Sequence, residues 1–307
     1  MTMDHDGMRA YALTLAHRAV KDIRRDGFRQ LRGYVDMGAI LARSPGQKLF
    51  FSTAQRLLAK ADSAYYPLVQ RLLEEVEEGQ LCTLAVNVGT EALAAGVVEL
   101  RRQAQAGNTP AWLVRTRLEN AAQASAFHHQ VLAAQKQGTR LFCADCDTSE
   151  AAQTLLRHTS FDCRESVFFL RLAPRTLDAE LLRALRAAEN AVPLLMVPEN
   201  GTPEDCLQDA ELLKKEKLCY GLFYRLPGGA KLDTEAVRRL AAVTRLCVVW
   251  AGGDKADEKA LQKTISAQRK APDAPILLID WTSDSRAVEK YVSAGTVRLV
   301  QPEDPCK

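Results

Sequence analysis

No run of apolar residues in this 307-residue chain approaches the roughly 18 that a membrane-spanning helix requires, so no membrane partner is expected. The first twenty residues place two acids before the first base and offer no small-residue cleavage site. They do not read as a secretion signal, and a cytoplasmic protein is expected. Charge of one sign is not in excess: 41 Lys and Arg face 38 Asp and Glu, for a net +3 spread along the chain. That removes the electrostatic case for nucleic acid or anionic lipid. The one basic cluster, His17 to Gly33, is interleaved with Val20, Ile23 and Phe28 and reads as a solvated helix face. Without a secretion signal, the eight cysteines do not read as a disulfide framework. Several sit inside apolar runs such as "KLCYGLF" and "RLCVVWAG", where a thiol behaves as a small buried hydrophobe.

What is present divides in two. From Asp6 to about Arg102 apolar residues recur at spacings of three and four, broken by "ARSPGQ", "ADSAYYP" and "NVG". This predicts a small all-α domain over residues 1–106. From Pro110 onward short β-rich apolar runs alternate with amphipathic helices: "AWLVRT", "TRLFCA", "SVFFLRL", "VPLLMV", "CYGLFYRL", "LCVVWAG", "PILLID" and "TVRLV" are strand candidates with a helix in every gap. Continuous apolar strands joined by helices mean a parallel sheet covered on its outer face, and repeated right-handed crossovers favour a barrel. The expected fold is α/β: a TIM-like (β/α) barrel, complete or partly open, over residues 107–307. Any site then belongs to the loops that follow the strands, from Arg117–Asn120 at the first to Gln301–Asp304 at the last.

Those loops and their setting resemble one group of radical S-adenosylmethionine enzymes. The resemblance lies in "AVNVGTEALAAG" at the end of the helical part, in Asn108-Thr109-Pro110-Ala111-Trp112 before the first strand, and in "RHTSFDCRESVFFLRLAPRTLDAELLRAL" around the third. It continues through "ENAVPLLMVPENG", "ILLIDWTSDSRAV" and "AGTVRLVQPEDPC", in order, over nearly the whole chain. The family follows its first strand with a Cys-x3-Cys-x2-Cys loop that holds a [4Fe–4S] cluster. Here that place reads "RTRLENAAQASAFHHQ", without a cysteine. A cluster that chelates the substrate through its fourth iron needs three thiolates, which Leu, Glu, Asn or Ala do not replace. Where the family carries Gly-Gly-Glu-Pro after the second strand this chain has "CADCDTSE", and Ala173-Pro174 stands for the third-strand Asn-Gly. The resemblance therefore implies the scaffold without reductive cleavage: a pseudoenzyme that binds a protein partner or a small ligand at the barrel mouth. No cofactor is expected, S-adenosylmethionine bound without a cluster being the alternative.

Two other readings come from the residues alone. Glu199 and Asp280 end strands at the same expected mouth and would serve as acid and base if their environments separated their pKa values, with Asn200, Gly201 and Asp284 as ligand-binding neighbours. Acids after strands also cap helices, as Glu199 would cap the segment from Thr202. Cys143-Ala144-Asp145-Cys146, read as closing a strand and opening a helix, would be a redox dithiol, or a zinc site with His128. Asp145 and Asp147 work against a reactive thiolate there. The pairs Gly228-Gly229 and Gly252-Gly253 read as turns that would offer N–H groups to a phosphate.

Overall fold

The periodicities separate into the elements they predict. The computed structural model describes residues 5–42 and 45–301; the end of the last expected loop, residues 302–304, and Cys306 lie outside them. The helical part comprises α1 (His5–Asp26), α2 (Phe28–Leu41), α3 (Pro45–Leu57), α4 (Tyr65–Glu75), α5 (Glu78–Val86), a π-helical stretch (Asn87–Gly96) and α6 (Val97–Gln105). Then strands and helices alternate: β1 (Ala111–Leu118), α7 (Ala121–Gln135), β2 (Leu141–Cys146), α8 (Ser149–Asp162), β3 (Val167–Leu172), α9 (Ala179–Ala187) and β4 (Ala191–Met196). After a 3-10 turn at Pro203–Cys206 follow α10 (Leu207–Lys215), β5 (Gly221–Leu226), α11 (Thr234–Val243), β6 (Leu246–Ala251), α12 (Lys255–Lys270), β7 (Leu277–Asp280), α13 (Trp281–Val292) and β8 (Thr296–Leu299).

All pairings are parallel, and the strand order is β7-β6-β5-β4-β3-β2-β1-β8. Among the described residues β7 and β8 do not pair, so the barrel curls without closing. The strands on either side of the seam are only four residues long, and each pairs with its other neighbour, β7 with β6 and β8 with β1. Val288, Tyr291 and Val292 of α13 pack there in one cluster with Val97 and Leu100 of α6 and with Leu113 and Cys143. Side chains alternate in and out along each strand. Phe142, Phe168, Leu170, Leu222 and Cys247 face outward into the main core beneath the helices. Val167, Val192, Leu194, Phe223 and Val248 face inward, in a cluster that includes Leu84 of α5.

The helices α5 and α6 and the π stretch between them form one continuous rod, Glu78–Gln105. It docks at the N-terminal ends of the strands, away from the expected mouth. The Gln80 amide donates to the Ala191 carbonyl at 3.0 Å, and its oxygen accepts from the Cys219 N–H at 2.6 Å. Buried Asn87 donates to the carbonyls of Arg164 (2.8 Å) and Ser166 (3.0 Å). The rod is also long and apolar. By length and composition it could cross a membrane, with a mean hydropathy of 1.6 over its apolar window, half of which is buried inside the protein. No single apolar run revealed it because Thr83, Asn87, Thr90 and Glu91 interrupt the pattern at helical spacing.

Candidate ligand site at the barrel mouth

Four strands end on Arg-Leu, and in three of them, unlike β8, the leucine is buried. β1, β3 and β5 close on Arg117-Leu118, Arg171-Leu172 and Arg225-Leu226. Each leucine is buried outward in the main core, so alternation turns each arginine to the inner face. Register places Arg117, Asp145 and Arg171 side by side across β1, β2 and β3, and Arg225 beside Trp250 across β5 and β6. One row deeper, Arg115 pairs in register with Cys143.

Asp145 is the hub. Its carboxylate lies 3.1 Å from the Arg171 guanidinium and 3.9 Å from that of Arg115. Each guanidinium rests on a ring: Arg171 is 3.7 Å from the Phe223 centroid and Arg115 4.9 Å from that of Trp281. Arg225 lies 5.3 Å from the Trp250 ring and 3.4 Å from Glu199. Arg117 is bound to Asp147 at 2.8 Å. Arg171 is only 6% exposed, and burial pulls its pKa down while burial pushes that of Asp145 up, against the attraction of Arg171 and Arg115. Desolvation thus outweighs the pairing on both partners. The geometry explains why. The contact is close but misdirected: Asp145 Oδ1, Arg171 Nε and Arg115 Nε are buried without a hydrogen-bond partner.

The helix N-termini around this face are already satisfied. Asn120, Thr148, Asp178, Asp233, Asp254 and Asp280 each cap the helix that follows with a side-chain oxygen. These six side chains are therefore held by capping.

The residues singled out from sequence are placed as follows. Asp280 is buried, pairs in register with outward-facing Val249, and accepts from the N–H groups of Thr282 (3.1 Å) and Ser283 (3.0 Å). Glu199 is exposed beside Arg225. It does not cap the next helix, where the Thr202 N–H instead donates to Asp205 at 2.6 Å. The structure does not bring Glu199 and Asp280 together: one faces the solvent and the other the outer core. Asp284 is tied to Arg269 and accepts from the Asp280 N–H at 2.8 Å. Asn200 is exposed, and Gly201 closes a turn onto the Pro198 carbonyl at 2.9 Å. The Gly228-Gly229 turn donates its Gly229 N–H to Asp257 at 3.1 Å, which fills the place of an external anion.

Cys143 and Cys146 both lie within β2, which runs to residue 146 instead of yielding to a helix between them. An odd separation on a strand turns them to opposite faces. Cys143 packs inward with Trp112 and Leu113, and Cys146 outward in the main core. Burial raises both thiols, that of Cys143 to about 12. His128 lies in the outer layer, stacked on His158 at 5.0 Å and 3.3 Å from Asp162. These three side chains therefore do not converge. Among the described residues, the group able to converge on a metal is His5, Glu91 and Glu165. Its carboxylates are already approached by Arg9 at 3.5 Å and Arg140 at 3.8 Å.

Sequence reading missed the arginine layer. The signal was present: an arginine in the penultimate position of a largely apolar run, four times, of which β1, β3 and β5 are alternate strands that supply one layer of a barrel interior, while Arg298 of β8 pairs in register with outward-facing Val114.

No protein-family model matches the chain, and no curated protein matches it either. Its fold is similar to solved α/β barrels. SuiB of Streptococcus suis bound to its precursor peptide SuiA aligns at 8% identity over 67% of this chain and 61% of that one, with a TM-score of 0.49. SuiB is a radical S-adenosylmethionine enzyme, also solved with S-adenosylmethionine bound. Tryptophan synthase from M. tuberculosis (12% identity, 67% of this chain and 89% of that one, TM-score 0.36) and 3-dehydroquinate dehydratase from Enterococcus faecalis (11%, 63% and 89%, 0.38) align as well. The chain spans about three-fifths of the SuiB chain. Likeness of fold alone carries no activity with it.

Proposed function

We propose that this chain is a ligand-binding module on a radical-S-adenosylmethionine-like barrel and that it does not cleave S-adenosylmethionine reductively. The observation that carries the reading is the end of β1, where the related enzymes hold their cluster. Arg117 is bound to Asp147 there, the Glu119 N–H donates to Gln123 at 2.8 Å, and Asn120 caps α7. This donor set does not fit an iron–sulfur cluster, which takes thiolates. The neighbouring thiols do not supply it: Cys143 is sealed under Arg115 with its pKa raised, and Cys146 faces the outer core. At the end of β2, where the resemblance implies a clamp for the methionine amine, Asp145 meets two arginines and Thr148 caps α8. An ammonium group finds repulsion there.

What supports the binding reading is the set of partly solvated polar groups that the inner face carries on its strands, backed by aromatic rings. The test is a titration of anaerobically purified full-length protein with S-adenosylmethionine, followed by reduction with dithionite. No methionine or 5′-deoxyadenosine is expected. Stoichiometric formation of either would sink the proposal.

A further inference from the structure

We infer that Arg115 and Arg171 form the anchoring site for an oxyanion, the carboxylate or phosphate of a small molecule, on the inner face of the barrel. The inference deepens the binding-module reading and rests on it.

The donor count is the first argument. Two guanidinium groups present up to ten N–H donors. Arg115 reaches the Cys143 thiol, and the shared carboxylate is Asp145, at 3.1 and 3.9 Å. Neither contact with the carboxylate makes a directed hydrogen bond, and both Nε atoms are buried and unpartnered. Arg171 itself is 94% buried, since 6% of it is exposed. A buried guanidinium in this state is costly, and a bidentate oxyanion is the group whose shape matches its fork.

Charge is the second. Four arginines face the mouth, namely Arg115, Arg117, Arg171 and Arg225. Three carboxylates lie within 3.9 Å of them, Asp145, Asp147 and Glu199, and Glu119 acts on Arg117 from farther away. The surplus positive charge sits with the deeper pair, because Arg117 and Arg225 each have their own acid.

The two guanidinium groups are preorganised. Phe223 and Trp281 lie against the faces of Arg171 and Arg115, leaving the guanidinium edges as binding surfaces. Arg115 and Asp145 remain about a quarter exposed, so the pair is reachable from solvent. Capping by Asp178, Asp233, Asp254 and Asp280 removes neighbouring helix N-termini as competing anion sites. The site therefore suits one compact oxyanion group rather than a polyphosphate chain.

The experiment uses full-length protein and three probes: sodium phosphate, sodium succinate, and sodium chloride at matched ionic strength. Thermal unfolding and calorimetry are read for wild type, Arg171→Met, Arg115→Met and Asp145→Asn. Phosphate or succinate, but not chloride, is expected to raise the wild-type Tm by about 2 °C at roughly ten times its Kd. The response tells a phosphate ligand from a carboxylate one. Each arginine variant is expected to lose on the order of tenfold in affinity. Asp145→Asn is the decisive variant. It removes the internal competitor, so anion affinity rises by on the order of tenfold and added anion restores any Tm the substitution costs. A purely structural triad gives the reverse: Asp145→Asn melts lower, and no anion restores it. That result, or equal responses to all three salts in wild type, overturns the inference. Such a failure in iron-free protein leaves the binding-module reading in place. Iron and sulfide in the protein would remove that reading whatever the anions do.

Discussion

Phe127, Phe142 and Phe168 run as a ladder of rings from α7 to β3. The first two meet edge to face at 6.4 Å and the next two stack at 5.2 Å, and all three are buried. Truncation leaves a cavity that the surrounding sheet and helix cannot collapse, so Phe142→Ala is expected to cost about 3–5 kcal/mol by urea unfolding. His128 gives a pH prediction. Burial holds its pKa below the ordinary 6.5, helped by His158 and His129 and opposed by Asp162. A base whose folded pKa is lowered stays neutral in the native state while the unfolded chain takes up the proton first. Stability is thus fully present above about pH 6.5 and declines as pH falls below it toward the folded pKa. Between pH 7.5 and 5.0 wild type should lose more stability than His128→Gln. A larger loss in the variant would mean that the Asp162 contact dominates. Asp280 was singled out from sequence as an acid at the end of a strand, and its observed work is to cap α13. Asp280→Ala should therefore cost about 1 kcal/mol of stability.

At the scale of elements, the rod from Glu78 to Gln105 joins the helical part to the barrel. α1 buries none of its own residues. It is held by polar contacts such as Arg9 to Asn87 at 2.7 Å and Arg24 to Glu78 at 2.8 Å. Asn87→Ala removes the donor to the Ser166 carbonyl, one of the two donors to the Arg164 carbonyl, and the acceptor for Arg9 Nη1, so a loss of about 2–3 kcal/mol is expected. Hydrogen exchange should show α1 losing protection first. Gly138 sits at φ +97 where the loop before β2 meets the rod, and a Cβ there would lie 2.8 Å from the Gly96 carbonyl oxygen and 2.9 Å from the Leu100 nitrogen. Backbone atoms cannot yield as a side chain can, so Gly138→Ala should cost at least about 2 kcal/mol in the same unfolding assay. The eight strands were legible because each is an apolar run bounded by turn residues, and the observed strands fall on the expected segments within about two residues. The π-helical turn was not legible, since its backbone register is set by docking onto the barrel. The meaning of Cys143 and Cys146 was lost for a related reason. Whether β2 stops before or after residue 146 decides which way the thiols face, and strand ends are set by the Thr148 cap and by pairing with β3, not by the run itself.

At the scale of the molecule, the barrel has one end closed by helices and an inner face carrying arginines, aromatic rings and one central carboxylate. Its architecture was legible through repetition, and its seam was not, because the apolar runs of β7 and β8 read like those of strands that pair on both sides. The arginine layer was hidden in plain sequence, each arginine looking like one charge at the end of an apolar run until register set Arg117, Asp145 and Arg171 in one row. The central claim is that this scaffold binds at its inner face and has no place for a cluster at the end of β1. The most direct test is an assay of iron and acid-labile sulfide in protein purified without oxygen from iron-supplemented cells. Neither element above background is the predicted result. About four irons and four sulfides per chain, the content of one [4Fe–4S] cluster, would contradict it.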